Sequence, residues 1–429
     1  MKPVLQVALD FVDLPRAVKL AEESVSGGVD WLEAGTPLIK SEGLNCIREL
    51  RKKFPDKIIV ADMKTMDVGR IEVEIAAKSG ADIVAILGAA SDETIKESIA
   101  AASNYGAKIL VDMIEVRDYV SRAKQVEKLG ADYVGIHIPI DDQMKGIVSF
   151  DKVRQISGSV KIPVAVAGGI NSENAALAVK SGASIIIVGG AITKSGNVSV
   201  QVKRLKKAIF EKKQIKTDLY RRVTETNITE IFKKVSSANI SDALHRGLSL
   251  QGIVPVVHGM KLFGTAVTVR TYPGDWAKPV QAIDVAEPGQ VIVIDAGGVP
   301  PAVWGELATQ SAKKKRIAGV VIYGAIRDVA DIRRLKFPAY SVYITANAGE
   351  PKGFGEINVP VTISGTKIFP GDWIFADDDG VIVIPKKIAV ETVNRAMDVL
   401  ERENRIREEI KRGKTLGEVS HLIRWEKKQ

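Results

Sequence analysis

Ile58-Ile59-Val60-Ala61-Asp62-Met63-Lys64-Thr65-Met66-Asp67 is the stretch on which the reading of the first half of this chain turns. Its β-branched opening predicts a buried strand. Asp62, Lys64 and Asp67 then follow within six positions, where that strand ends. Side chains on a strand alternate between faces, so Asp62 and Lys64 are expected on one side. A carboxylate beside an ammonium is costly inside a core and useful at the mouth of an active site. The other reading is a surface ion pair at a strand-to-loop turn. The flanking sequence decides between them.

Upstream and downstream, short apolar runs alternate with amphipathic ones. Strands are expected at 4–9, 31–34, 58–61, 83–87, 108–112, 133–138, 164–167 and 185–188. Helices are expected at 15–26, 69–78, 91–104 and 119–129, several closed by a glycine ahead of the next strand, as at Gly80-Ala81-Asp82 and Gly130-Ala131-Asp132. Eight strand–helix units in about 210 residues predict a (β/α)8 TIM barrel, since an open doubly wound sheet rarely uses eight evenly spaced units. In a barrel, chemistry belongs at the C-terminal strand ends. There the sequence sets Asp10, Glu33, Asp62 with Lys64 and Asp67, Asp112, and His137. Each alone reads as a cap, a loop carboxylate or a packed histidine; five strands ending alike do not. The seventh and eighth strands end in Gly168-Gly169 and Gly189-Gly190. Glycine turns expose backbone N–H groups, and the last two barrel loops commonly hold phosphate, so a phosphorylated substrate is expected.

Composition agrees. At 429 residues, 45% hydrophobic and 26% charged, the chain reads as a globular protein of two or three domains. Cys46 is the single cysteine, which excludes disulfide frameworks and cysteine-based metal sites. No apolar run reaches the roughly 18 residues a bilayer span requires, and Met1-Lys2-Pro3 leads straight into a strand, so no membrane association and a cytoplasmic location are expected. The net charge of +9 raises nucleic acid as a partner. The excess is diffuse, with 30 of 61 basic and 27 of 52 acidic residues lying at or before Lys213, and aromatics are 5%. Nucleic acid is therefore disfavoured, and a basic surface serving small anionic substrates is expected.

The motifs Leu9-Asp10, Trp31-Leu32-Glu33-Ala34-Gly35-Thr36-Pro37, Ala61 to Asp67, Val166-Ala167-Gly168-Gly169-Ile170 and Val188-Gly189-Gly190-Ala191-Ile192 together resemble 3-hexulose-6-phosphate synthase, of the orotidine-5'-monophosphate decarboxylase superfamily. The resemblance covers residues 1–212. It implies condensation of formaldehyde with the sugar phosphate D-ribulose 5-phosphate, or the reverse cleavage, with Mg2+ or another divalent cation such as Mn2+. Glu33 and Asp62 are then the metal ligands, as hard cations favour carboxylate oxygens. Lys64 steadies the enediolate and bonds Asp67, His137 transfers protons, Asp10 meets substrate hydroxyls, and Gly168, Gly169, Gly189 and Gly190 hold the phosphate. Asp67 is implied to cross a homodimer interface. The sister family, 3-keto-L-gulonate-6-phosphate decarboxylase, is the alternative. It places arginines where this chain has Ile140 and Gly190, which favours the synthase.

The segment 200–216, with Val202, Leu205 and Ile209 at helical spacing, reads as the last barrel helix, so the first domain is taken as 1–213 and the second as 217–429. Beyond it strands no longer alternate evenly with helices: 228–235 is helical, and 267–270, 291–295, 319–322 and 381–384 are the clearest strands, predicting a smaller mixed α/β domain. Asp295-Ala296-Gly297-Gly298 is a strand ending in a glycine turn, Gly305-Glu306-Leu307 opens a helix, and Gly324-Ala325-Ile326-Arg327-Asp328 closes another strand. Arg327 suits a carboxylate and Asp328 a divalent cation, against a bland reading as a capping Glu306 and a structural Arg327–Asp328 pair.

With Ser241-Asp242-Ala243-Leu244 and Ala376-Asp377-Asp378-Asp379-Gly380-Val381, these segments resemble the ribonuclease E activity regulators and the related 4-hydroxy-4-methyl-2-oxoglutarate aldolases over residues 220–400. Glu306 and Arg327-Asp328, with twenty residues between them, keep the aldolase spacing, with Glu where the aldolases prefer Asp. The resemblance implies metal-assisted cleavage of a 2-oxo acid, with Asp328 helping to hold the cation and Arg327 with Gly297 and Gly298 holding the pyruvyl group, in a trimer or hexamer. A non-catalytic regulatory or oligomerising module is the alternative. The stretch 388–412 is read as a packing or oligomer helix.

Overall fold

The computed structural model of the chain describes residues 2–138, 144, 150–217 and 222–419. Of these, 2–138, 150–217 and 405–419 form one compact unit, and Met144 with 222–404 forms the other. No helix among the described residues is long and apolar enough to cross a membrane.

In the first unit, β1 (Val4–Leu9), β2 (Trp31–Ala34), β3 (Ile58–Thr65), β4 (Ile83–Leu87), β5 (Lys108–Asp112), β6 (Tyr133–His137), β7 (Val164–Ala167) and β8 (Ile185–Val188) run parallel. They close into a barrel where β1 pairs with β8. The expected helices fall within a residue of Leu14–Ser26, Gly69–Lys78, Asp92–Tyr105 and Tyr119–Leu129. Their ends follow from local chemistry. Asp13, Ser91 and Asp118 accept backbone N–H groups of the first turn, and Gly106 and Gly130 close the last turn in left-handed conformations.

Period-two alternation sorts the barrel residues into two cores. Val4, Trp31, Val60, Ile83, Leu110, Tyr133, Ala165 and Ile185 fill the interior, with Trp31 edge-on to Tyr133 at 5.8 Å. Leu5, Val7, Leu9, Leu32, Ile59 and Val84 face outward beneath the helices. Each such fully buried leucine contributes about 1.5–3 kcal/mol through apolar area removed from water. Further along the inward series the apolar lining gives way to Glu33, Asp62 and Asp112, two residues on, and to His137, four residues past Tyr133. The fold thereby gathers polar groups at one end.

The second unit is a mixed, nearly closed sheet. Its strands are β9 (Val254–Pro255), β10 (Leu262–Arg270), β11 (Val291–Asp295), β12 (Ala302–Trp304), β13 (Gly319–Ile326) and β14 (Ala339–Ile344). There follow β15 (Glu356–Ile357), the hairpin β16 (Val361–Ile363) with β17 (Thr366–Ile368), and the hairpin β18 (Trp373–Asp377) with β19 (Gly380–Ile384). The strand order is β19-β18-β10-β11-β13-β14-β9, with β12 beside β13 and β15 beside β10. Phe232 packs on Phe263, Trp373 and Phe375 at ring distances of 5.6, 5.2 and 5.6 Å. The last long helix runs Ala389–Lys411.

Candidate active site

The barrel site begins with an irregularity in β3. Asp62 pairs with Ala85 and Thr65 with Ile86, so Met63 and Lys64 bulge from the ladder. Lys64 sits in the left-handed region at φ 52°. Asp62 and Lys64 do meet, but through this bulge rather than through strand alternation. Lys64 Nζ donates to Asp62 Oδ1 and Oδ2 at 2.8 and 2.9 Å, and to Asp112 Oδ2 at 2.9 Å. Burial disfavours its charge, yet Asp112 and Asp62 outweigh that and hold the ammonium above the ordinary lysine range. Both carboxylates have further donors: Thr36 Oγ1 to Asp62 Oδ2 at 2.8 Å, and the Ile114 N–H to Asp112 Oδ1 at 2.9 Å.

Asp112 also reaches His137, whose Nδ1 lies 3.8 Å from Oδ2. Glu33 is buried, and Gln6 Nε2 donates to its Oε2. Burial, then the charges of Asp62 and Asp10, push the Glu33 carboxyl well above the carboxylate range, against the pull of Gln6 and Lys64. Asp10 lies just past β1, where loss of water and the charge of Asp62 raise its carboxyl while His137 and Lys64 lower it. Two glycines make room for it: a β-carbon at Gly35 would collide with Asp10 Oδ1, and one at Gly189 would stand 3.2 Å from Oδ2. Asp67 stands apart. It is exposed and accepts the N–H of Val68 at 2.7 Å, so within one chain Lys64 pairs with Asp62 and Asp112 rather than with Asp67.

Around Lys64 the mouth thus assembles the carboxyls of Asp10, Glu33, Asp62 and Asp112. Among the described residues, no group of three or more Asp, Glu, His or Cys side chains converges at metal-binding distance. The donor chemistry nonetheless suits a hard divalent cation: Glu33 and Asp62 are oxygen donors close enough for one charge to raise the pKa of the other, a repulsion that a cation relieves.

The glycine loops border this mouth. Gly168 and Gly169 have φ of 98° and 67°, and Asn174 Nδ2 donates to the Gly169 carbonyl at 3.0 Å. Gly190 opens the short helix Gly190–Thr193, where a β-carbon would come 3.5 Å from Lys194 Cε. Ile140 lies outside the described residues. Sequence reasoning noted Asp112 without assigning it a role, and passed over Gln6 and Thr36. Gln6 was legible as a polar residue at an inward β1 position, between Val4 and Ala8.

In the second unit, Glu306, Arg327 and Asp328 do come together. Asp328, left-handed at φ 58°, accepts the Glu306 N–H on Oδ2 at 3.1 Å, and Arg327 Nε lies 3.6 Å from the same oxygen. Gly305 must lack a side chain, since a β-carbon there would press on Asp328 Oδ2 at 2.5 Å. The Glu306 carboxylate receives Gln310 Nε2. Gly297 N–H donates to Asp295 Oδ1 at 3.1 Å, and Gly298 N–H to the Tyr323 carbonyl at 3.2 Å. Burial raises the Asp295 carboxyl, with the Gly297 N–H and Arg270 opposing. Among the described residues no hydrogen bond joins Gly297 or Gly298 to Arg327.

The family profile described as Orotidine 5'-phosphate decarboxylase / HUMPS family matches residues 3–205, and that described as RraA-like, Aldolase/RraA, matches residues 237–383. The chain is 39% identical over 208 residues to the 3-hexulose-6-phosphate synthase of Bacillus subtilis (strain 168), covering 48% of this chain and 99% of that protein. It is 40% identical over 205 residues to the 3-hexulose-6-phosphate synthase of Mycobacterium gastri, again covering 48% and 99%. A solved structure of the RNA-processing inhibitor RraA from Thermus thermophilis is 27% identical, with a TM-score of 0.34, covering 36% of this chain and 94% of that one.

Proposed function

This chain belongs, through residues 3–205, to the orotidine 5'-phosphate decarboxylase / HUMPS family of enzymes, with an Aldolase/RraA domain at 237–383, and on that premise we propose that its barrel interconverts D-arabino-hex-3-ulose 6-phosphate with D-ribulose 5-phosphate and formaldehyde. The observation that carries this reading is the row Asp62–Lys64–Asp112–His137 at the barrel mouth, with Lys64 2.9 Å from Asp112 and His137 3.8 Å from it.

In the synthetic direction, a proton leaves C1 of ribulose 5-phosphate, the resulting enediolate carbon attacks formaldehyde, and the formaldehyde oxygen gains a proton. His137, oriented by Asp112, is the proton carrier. Lys64 stays charged between its two carboxylates and stabilises the enediolate oxygens where negative charge develops. Glu33 and Asp62 would hold Mg2+ or Mn2+, which when bound polarises substrate oxygens as a Lewis acid. Asp10 meets the sugar hydroxyls, and the Gly168–Gly169 and Gly189–Gly190 turns take the phosphate. Gly190, where the sister decarboxylases place an arginine, supports the synthase over the decarboxylase.

Met66, Val68, Ile71 and Ile75 are exposed apolar side chains beside the exposed Asp67. They support a barrel homodimer in which Asp67 serves the partner's site. The second domain is proposed to cleave or decarboxylate a 2-oxo acid, Asp328 helping to hold a divalent cation and Arg327 the carboxylate, in a trimer or hexamer. The location is proposed to be cytoplasmic.

The test is direct. Purified chain with Mg2+, ribulose 5-phosphate and formaldehyde should form hexulose 6-phosphate, and the reverse reaction should release formaldehyde, with both lost on chelation. No product in either direction rejects the reading. For the second domain, oxaloacetate decarboxylation or pyruvyl aldol cleavage by the full chain, lost in Asp328→Ala, separates an enzyme from a binding module.

A further inference from the structure

Residues 405–419, at the far end of the sequence, belong to the same compact unit as the barrel. Two charged residues there, Arg405 and Glu409, are 9% and 6% exposed and lie one turn apart on the helix Ala389–Lys411. Charges so deeply buried persist only when paired. The Glu409 carboxylate is faced by Arg405 Nε at 3.4 Å, Lys414 Nζ at 2.9 Å and an Arg16 nitrogen at 3.8 Å. Arg405 donates through Nη1 to the Ser195 carbonyl at 2.7 Å, a bond across 210 residues of sequence.

These contacts grip two connections at the barrel mouth. Ser195 follows directly on the Gly189–Gly190 turn and the helix Gly190–Thr193, and its N–H closes that turn by donating to Ile192 O at 3.1 Å. Arg16 lies in the first turn of the helix after β1, its guanidinium 5.1 Å above the Phe11 ring, next in sequence to Asp10. The two connections lie close together: a β-carbon at Gly189 would stand 3.2 Å from Asp10 Oδ2. The barrel's own strands and helices are complete by Glu211, well before this strap in the sequence. The strap acts on the loops.

We infer that Arg405 is a positioning residue for the barrel's phosphate-binding turn, acting through Ser195 and held in place by Glu409, so that the end of the chain sets the affinity of the barrel site for phosphorylated substrate. The role as a phosphate turn rests on the sugar-phosphate reading above. Removing the guanidinium leaves the Ser195 carbonyl and the Glu409 carboxylate short of a buried partner, and the turn shifts to regain water. Displacements of about 1 Å in a positioning element can cost up to about a hundredfold.

The experiment uses the full chain carrying Arg405→Met, with Arg405→Lys as the conservative variant. Arg405→Met should raise KM for ribulose 5-phosphate about tenfold or more while kcat stays within about twofold, and Arg405→Lys should recover part of the loss. Hydrogen exchange should quicken in 189–197 and remain unchanged in the barrel strands. If Arg405→Met does not fold, Glu409→Gln, which frees Arg405 and Arg16 from their shared anion, should give the same pattern. Unchanged KM and unchanged exchange overturn the inference, as does loss of protection spread through the whole barrel. If the wild-type chain makes no hexulose phosphate, the functional reading fails separately. The exchange of 189–197 and the Kd for inorganic phosphate, wild type against Arg405→Met, then still decide the positioning role.

Discussion

Lys64 is held in a conformation that costs an L-residue roughly 1–2 kcal/mol, and three charged hydrogen bonds hold it there. Replacing it should therefore have two separable effects. In the proposed mechanism Lys64→Met removes the donor to the enediolate, and kcat should fall about 100- to 1,000-fold. The variant also strands the buried Asp62 and Asp112 carboxylates, so denaturant unfolding should show a loss of about 3–5 kcal/mol. A variant with ordinary kcat would remove Lys64 from the chemistry, whatever its stability. Gly35 offers a second residue-scale test, because a β-carbon there meets the Asp10 carboxylate first, with the Leu9 carbonyl next at 3.1 Å. Gly35→Ala should lower kcat/KM about tenfold through displaced substrate contacts, with a change in unfolding free energy near 1 kcal/mol or less. A loss of stability without a change in kinetics would make Asp10 structural.

Among elements, β3 carries the lesson of the barrel. Period-two alternation places Val60 and Asp62 inward, yet the step from Asp62 to Thr65 spans two more residues than its partner strand does. That extra length turns a strand end into a rigid platform for Lys64. In the second unit the matching device is a carboxylate. Asp275 is 3% exposed and ties its own segment to a distant one by accepting N–H groups of Ala277, Lys352, Gly353 and Phe354 at 3.1, 3.1, 3.3 and 2.8 Å. Burial alone would raise its pKa, but the four backbone donors outweigh burial and hold it below the ordinary 3.8. A depressed folded value means that the ion contributes stability above about pH 4, lost as pH falls through the folded value. Asp275→Asn should accordingly be less stable than wild type by about 1.5–3 kcal/mol at pH 6, the range for hydrogen bonds to a charged group, and the gap should narrow below pH 4 in urea titrations. A gap that widened on acidification would show that the loop is held by something other than this ion.

At the scale of the whole molecule, the exposed apolar set Met66, Val68, Ile71 and Ile75 is more than a stray surface leucine requires, and it lies next to the proposed cross-interface Asp67. Ile71→Asp should shift the chain to a smaller species in sedimentation and lower synthase activity in proportion; a variant of unchanged size would locate the dimer surface elsewhere. Asp62→Ala and Asp328→Ala should abolish different reactions in the same chain, each leaving the other intact, which a substrate screen on both variants checks. The chain's own order of residues determined the eight strands, their inward positions, the ring of charges at their ends and the change of pattern after the last barrel helix. All of these follow from periodicity over fewer than about ten residues, which a side chain cannot escape once the backbone is extended or helical. Tertiary structure alone decided the partnerships: Thr36 on Asp62 across 26 positions, Lys64 on Asp112 across 48, and Arg405 on Ser195 across 210. It also decided that Asp112, not Asp67, neutralises Lys64 within the chain. Charge and spacing can nominate such residues, but which carboxylate reaches which ammonium depends on how the barrel closes and where the β3 bulge falls, and neither is written in any local stretch of sequence.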